Sequence, residues 1–518
     1  MRKYRILVII LASIAVLILL LDVGLNYWIA RQLPQIINEQ NHSPYNISYK
    51  KLEISLFDRN LSATDIVLVP KISLNDNRQK IGYYAKIRSM EVKGFSIWNI
   101  IFSNKITAHS LVVNYPEATL FEKKEEKKEK KPASKNFDYF SKIIYVSDIY
   151  INHGTFLVTD IEKDMKIMRI NNLSLQVEGI LVTDETLSKK IPFTYNDFLL
   201  TSDSIYYRKD EFYHIKTGKI KVTKNAVSVA STRMIPEYGR KAFVKIIPKE
   251  KDLYTVSVKQ ISVGNLDWGF KADKFFLHSR SIIADGLNAD IYRGKMPPDD
   301  LSKKKLYNQL LREIKFEMKI DTLAIRNSKI VYEEEKDFSN GAGKLSFNKF
   351  NLWAVNIASG YDRKKMPDVK IHVNCQFMDI APFKADWSFN VLDKSDTFHI
   401  KGSVLHFPAE RLAPFTKPYS NTIVEGDLDE IYFDFIGNDH KSKGTFGINY
   451  DDLKVKIYKK NDRKKKNKLL SAIANLFVKN NTKEKVKRTE VEVDRVQEKS
   501  VYNMLWLSVA DGLKKILL

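Results

Sequence analysis

The chain has 518 residues, 44% apolar and 11% aromatic, with 25 Tyr, 28 Phe and a formal net charge of +23. It exceeds one ordinary domain in length, can bury a core, and favours strands over helices. The single cysteine, Cys375, excludes an internal disulfide and a cysteine-based metal site and suits either redox compartment. The positive charge invites a nucleic acid or an anionic membrane. Lys and Arg are spread over polar strand faces, however, and no reader-module pattern accompanies them, so no nucleic-acid partner is expected.

Arg2, Lys3 and Arg5 precede an apolar run from Ile6 to Leu21, broken only by Ser13; Leu11 and Leu17 lie within it, and Tyr27 and Trp28 follow. A helix from Ile6 to Trp28 would be ~34 Å long at ~1.5 Å per residue, enough to cross a bilayer. The leading charges place the N-terminus in the cytoplasm, and Tyr27 and Trp28 suit the far interface. A cleaved signal peptide is the competing reading, but no clean small-x-small site follows Leu21. An uncleaved anchor leaves the bulk of the chain outside the cytoplasm.

A helical segment continues from Trp28 to Gln40, and strands begin near Ile47. Tyr49 to Ser55 and Leu61 to Val69 form an early hairpin, Ile87 to Val92 a further strand, and Phe95 to Phe102 a turn or short helix. Residues 121–136, rich in Lys and Glu, read as a solvated loop inserted between strands. From Ile143 to Ile457 strands dominate. One helix, Asp300 to Ile314, interrupts them, with Leu306, Leu310 and Ile314 at helical spacing.

The clearest strands lie between Val369 and Val391. Val369, Ile371, Val373, Cys375 and Phe377 alternate with Lys370, His372, Asn374 and Gln376. Past a turn, Phe383, Ala385, Trp387, Phe389 and Val391 alternate with Lys384, Asp386, Ser388 and Asn390. Period-two alternation means one dry and one wet face. A weak repeat runs through the chain: Leu111, Val113, Pro116, Ala118 and Leu120 share their spacing with Ile149, Ile151, Gly154, Phe156 and Val158, and with Leu323, Ile325, Ser328, Ile330 and Tyr332. It reads as strand, tight turn, strand, and argues for an elongated sheet or solenoid.

After basic residues Lys459 to Lys468, Leu469, Leu470, Ile473, Leu476 and Phe477 form an apolar helical face; a second basic run, Lys479 to Arg488, follows. Val491 and Val493 suggest a short strand. Lys499 to Leu518 reads as an amphipathic helix whose apolar arc holds Val501, Tyr502, Leu505, Trp506, Val509, Leu513, Ile516 and Leu517. Such a face docks on the protein's own sheet, or meets a bilayer or a partner at the far end.

No nucleophile, metal or phosphate-binding pattern occurs, so no enzyme activity, cofactor, catalytic residue or metal ligand is expected. Gly341 to Lys344 reads as a β-turn, His399 and His406 as strand residues, and Glu333 to Glu335 as a solvated strand end.

Two segments carry a family resemblance. In Met90 to Leu120, residues Ser96, Ile100, Ile101, Lys105, Ile106, Leu111, Val113 and Pro116 resemble the N-terminal signature of the AsmA family, as does Leu61 to Pro70. In His406 to Ile457, residues Leu412, Pro414, Gly426, Leu428, Gly437, Asn438, Gly444, Tyr450, Asp452 and Leu453 resemble the tail block of AsmA-like and TamB-like envelope proteins. The resemblance implies a single-pass inner-membrane protein of the Gram-negative envelope. Its periplasmic part would be mainly β: a long, curved, antiparallel-type, taco-like sheet forming an elongated apolar groove, with a few short amphipathic helices.

On that reading the chain has an anchor (1–28), an N-terminal β region (29–120), a charged loop (121–136), a groove (137–458) and a basic C-terminal part (459–518). Its partners are the inner membrane, phospholipids, and the outer membrane or a protein there. The groove candidates are Val369, Ile371, Val373, Phe377, Phe383, Trp387, Phe389 and Val391. The expected function is conducting phospholipid for outer-membrane biogenesis; the alternative is a non-transporting scaffold or assembly factor for outer-membrane proteins. A self-closing sandwich is the competing explanation of the dry face.

Overall fold

A computed structural model describes residues 45–55, 59–71, 81–96, 99, 103, 105–122, 143–459, 462–467, 471, 481–482 and 485–517. The expected anchor, with Ile6, Leu11, Leu17, Leu21, Tyr27 and Trp28, lies outside them. So do the segment Trp28 to Gln40, most of the Lys/Glu block, and the apolar stretch from Leu469 to Phe477 apart from Ser471. Among the described residues no helix is long and apolar enough to cross a membrane. The chain divides into two units, residues 1–210 with 215–224, and residues 211–214 with 225–518.

The first unit contains β1 (Tyr45–Ser48), β2 (Lys51–Ser55), β3 (Asn60–Pro70), β4 (Gly82–Lys93), β5 (Lys105–Glu122), β6 (Ile143–Asp160) and β7 (Met165–Val182). A short helix, α1 (Asp184–Leu187), precedes β8 (Asp197–Ser202) and β9 (Ser204–Arg208). The division between the units runs through β10 (Tyr213–Lys216); β11 (Ile220–Thr223) returns to the first unit and pairs with β8. β1 and β2 both pair with β3, and the order then runs β3–β4–β5–β6–β7. The hairpin around Arg59 and the strand at Ile87 are as the alternation predicts.

The second unit holds β12 (Ala226–Pro236), α2 (Arg240–Ile246), β13 (Asp252–Lys271), β14 (Lys274–Asp285), β15 (Asn288–Gly294), α3 (Tyr307–Arg312), β16 (Glu317–Glu335) and β17 (Gly343–Ala358). There follow β18 (Val369–Phe377), β19 (Ala381–Phe389), β20 (Phe398–Pro408), α4 (Ala413–Ser420), β21 (Thr422–Gly437), β22 (Lys441–Lys459), β23 (Asp462–Lys466), β24 (Lys487–Asp494) and α5 (Val501–Leu517). β14 and β15 sit end to end between β13 and β16. Neighbours in sequence pair from β16 to β22, and β24 closes the series against β22. The described strands of each unit thus pair in one series.

The expected antiparallel pattern needs correction. β5 and β6 are parallel, as are β14 and β15 with β16. A parallel pair needs a connection of a dozen or more residues to return to the starting end. The chain supplies residues 123–142 and 295–316 at those two places. Phe121 and Glu122, read as loop, belong to β5 and pair with Thr159 and Asp160.

The weak repeat is real, but not as strand, turn, strand. β5, β6 and β16 are each uninterrupted. What repeats is a backbone kink: Tyr115, His153 and Asn327 have φ of 51°, 56° and 50°. A left-handed residue inside a strand inserts one extra position, as in a β-bulge. Apolar residues therefore step from Val113 to Pro116, and from Ile151 to Gly154, while staying on one buried face. In the first unit the kinks line up. Tyr115 stacks on His153 at 5.0 Å between ring centroids, and His153 hydrogen-bonds Asn172 (2.8 Å), itself at φ 50°.

The helix expected over Asp300 to Ile314 is shorter. Only Tyr307–Arg312 is helical. Asp300 pairs with Lys249 at 2.7 Å, and the Lys304 N–H donates to the Gln497 carbonyl at 2.8 Å. These partners hold the first part extended. Glu333 to Glu335 is not a solvated end either: Glu335 is buried and accepts from the Tyr292 hydroxyl at 2.6 Å, and Glu334 accepts from Tyr332 at 2.6 Å.

Candidate functional site: an apolar face across the second unit

Residues directly opposite in a ladder point to the same face. Register therefore assembles what local alternation cannot. One row runs Val227, Val263, Ile282, Leu323, Ala354, Ile371, Trp387, Ile400, Phe435, Gly444 and Val491. The row beside it runs Val229, Ile261, Ala284, Ile325, Leu352, Val373, Ala385, Gly402, Phe433 and Phe446. Every member is apolar or glycine. The wet face of the same strands carries paired side chains: His372 with Asp386, and His399 with Asp434 at 2.5 Å.

The cover over these rows is uneven. From β20 to β24 they are more deeply buried: Ile400, Phe435, Phe446 and Val491 belong to one core cluster with Met504 of α5, and Phe433 packs partly against it. From β12 to β19 the larger members, Val227, Val263, Ile282, Leu323, Ile371 and Trp387, are only half-buried, as are Val229, Ile261, Ile325, Leu352 and Val373. A Leu or Ile about a quarter exposed forgoes roughly 0.5 kcal/mol of burial. The open stretch crosses about six strand spacings, or ~29 Å at ~4.8 Å each. One leaflet's acyl chains occupy ~15 Å, half the hydrocarbon core.

The sheet of this unit curves. Flat, β13 and β24 would lie ~43 Å apart across nine spacings. Yet Lys499, shortly after β24, lies 3.8 Å from Glu250, just before β13, and 3.1 Å from Asp299. The crossover from β15 to β16 spans the apolar face. Its Leu306 is buried against the core cluster containing Phe389 and Phe398, and its Arg312 donates to the Val391 and Asp393 carbonyls at 2.9 and 2.8 Å. Arg495, fully buried, pairs with Asp439 and donates to the Lys304 carbonyl, tying this strap to the residues before α5.

Where strap and helix meet, Tyr307 and Tyr502 share a hydrogen bond of 3.1 Å above Trp387, whose ring lies 5.3 Å from Tyr307 and 6.5 Å from Tyr502 between centroids. Burial, then the neighbouring Tyr307 hydroxyl, pushes the Tyr502 hydroxyl well above its usual range. Tyr502 nevertheless keeps 58% of its surface open.

No family model and no curated protein matches the sequence.

The predicted residues fall as follows. Val369, Phe389 and Val391 are fully packed core; Ile371, Val373, Phe377, Phe383 and Trp387 are half-buried on the dry face. Val373 and Trp387 belong to the two rows, Phe377 and Phe383 to an aromatic group with Phe347 nearer the strand ends. On the C-terminal helix, Val501 and Ile516 are buried, and Leu505, Val509, Leu513 and Leu517 pack partly on the core. Trp506 and Tyr502, on the same arc, are 59% and 58% exposed, and the seated side carries Met504, Ser508 and Gly512 as well. The helix turns its small residues inward because Gly512 meets Phe446 directly; a Cβ there would lie 2.4 Å from the ring. Close backbone approach outweighs the larger apolar surface of Trp506.

Sequence reasoning missed Val227, Val263, Ile282, Leu323 and Leu352. Their kinship is a matter of register across β12 to β17, and the kinks at Asn265 and Asn327 disguise it by shifting parity within a strand. Among the described residues no group of His, Cys, Asp or Glu is placed to hold a metal ion.

Proposed function

We propose that this chain is an inner-membrane-anchored periplasmic protein that binds phospholipid acyl chains on the open apolar face of its second unit and conducts them along it, in service of outer-membrane biogenesis. The observation that carries this reading is the pair of all-apolar rows, whose larger side chains stay only partly covered from β12 to β19 and are more deeply buried beyond. A stretch of ~29 Å exceeds one lipid tail, so it suits a path better than a pocket. The AsmA-like segments and the apolar run at Ile6 to Leu21 support the envelope location. The absence of any catalytic motif from the sequence agrees with a binding role.

The test is lipid retention. The full chain, purified in mild detergent, is analysed by native mass spectrometry and by solvent extraction. Co-purifying phospholipid, lost when Leu323 and Val373 are both changed to Asp, supports the reading. A lipid-free protein that still restores envelope integrity in a deletion strain favours the scaffold alternative.

A further inference from the structure

The apolar face does not stop at the two rows. Past the kinks it continues through Leu266, Ser279, Ile320 and Ile357, with the Ser279 hydroxyl turned onto the Gly264 carbonyl at 3.0 Å, then through Trp268, Leu277 and Met318. It ends at the turn between β13 and β14, where Ala272 and Asp273 take positive φ of 46° and 62°. On this tip Phe270, 37% exposed, packs against Phe275 at 5.6 Å, and Phe275 against Phe316 at 5.2 Å. Lys271 and Lys274 flank the turn, both exposed.

The loop between β17 and β18 lies alongside. Lys274 reaches Asp362 at 3.5 Å and sits 5.5 Å from the Tyr361 ring, and Arg363 reaches Glu317 at 3.5 Å. Lys364 and Lys365 in that loop are exposed. Five cations, Lys271, Lys274, Arg363, Lys364 and Lys365, thus stand against four carboxylates, Asp273, Asp362, Asp368 and Glu317.

One aromatic ring open to solvent at a hairpin tip, backed by two partly buried rings and ringed by lysines on flexible stems, matches the chemistry of a bilayer interface. Rings rest at the headgroup level, apolar stems lie along the acyl boundary, and ammonium groups meet lipid phosphates. A protein partner of ordinary chemistry would not call for both features at the end of a largely apolar face. We propose that the β13–β14 tip and the β17–β18 loop form a bilayer-docking mouth, engaging a surface that carries anionic phospholipid, through which acyl chains pass to the face behind it. This rests on the lipid-conducting reading above for what enters, but not for the docking itself.

The test places an environment-sensitive dye on Ala272→Cys in the full chain carrying Cys375→Ala, reconstituted in proteoliposomes of phosphatidylethanolamine and phosphatidylglycerol. A second label at Asn340→Cys, in the β16–β17 turn at the opposite strand ends, is the control. Spin-labelled lipid is included in the vesicles or in added vesicles. The proposal expects the Ala272 dye to shift to the blue and to be quenched at least threefold more than the Asn340 dye. Quenching should fall by about half when ionic strength rises from ~0.1 to ~1 M, where the Debye length drops from about 10 to 3 Å. Lys271→Glu/Lys274→Glu should remove the shift while leaving the melting temperature unchanged, since both side chains are exposed. Equal quenching at the two positions overturns the proposal, and so does a blue shift that follows protein concentration without lipid, which would mark a contact between copies. Docking with no lipid retained on the face would refute the conducting reading and leave this one standing.

Discussion

Gly512 of α5 faces the ring of Phe446 of β22 so closely that a Cβ on the glycine would fall 2.4 Å from the Phe446 Cγ. That contact fixes which side of the last helix meets the sheet. Gly512→Val should force helix and sheet apart and cost about 1–3 kcal/mol by overpacking. Trp506→Ala, on the exposed side, should stay within about 0.5 kcal/mol. Thermal melting of both variants checks the assignment; a larger loss for Trp506→Ala would reverse the face.

Photo-crosslinkers on alternating positions read the dry face directly. A benzophenone amino acid at Val373 or Leu323 should capture phospholipid, whereas one at Asn374 or His372, on the wet face, should capture little. Mass spectrometry of the adducts decides. Equal yields at Val373 and Asn374 would contradict the orientation of β18.

Arg495 and Asp439 form a buried pair that also holds the strap through the Lys304 carbonyl. Removing one partner of a buried pair typically costs about 3–5 kcal/mol, because the other is left unpaired. Arg495→Met should fall at the lower end, since Lys303 still reaches Asp439. The double change Arg495→Met/Asp439→Leu should recover much of the loss. Denaturant midpoints measure both, and a double variant as weak as the single one would mean that the strap contact, rather than the charge, dominates.

Cys375 lies on the dry face, and burial pushes its thiol up to about 12. In the unfolded chain the value is about 8.5. The folded state keeps its proton where the unfolded state has lost it. This group's contribution to stability is therefore full below about pH 8.5 and is lost as pH rises towards 12. At pH 8 a maleimide should react at least tenfold more slowly with the folded protein than with the chain in urea. Matching rates would show Cys375 to be open.

Strand content and the dry faces at Val369 to Val391 were legible from the sequence because a side chain's direction in a strand follows from parity alone, a local property. The repeat was legible too, as spacing, although its cause was not: a positive φ at Tyr115 or His153 leaves no compositional mark, since neither residue is the glycine that such a turn favours. The tertiary structure decided three other matters. It set the register that joins Val227 to Val491 across the sheet, which depends on partners far apart in the chain. It made β5–β6 and the β14/β15–β16 pairings parallel, a choice that turns on long connections rather than strand composition. And it seated α5 on Ser508 and Gly512 instead of Trp506, because a helix settles where its backbone can come closest, and the ring of Phe446 that it must approach belongs to another strand.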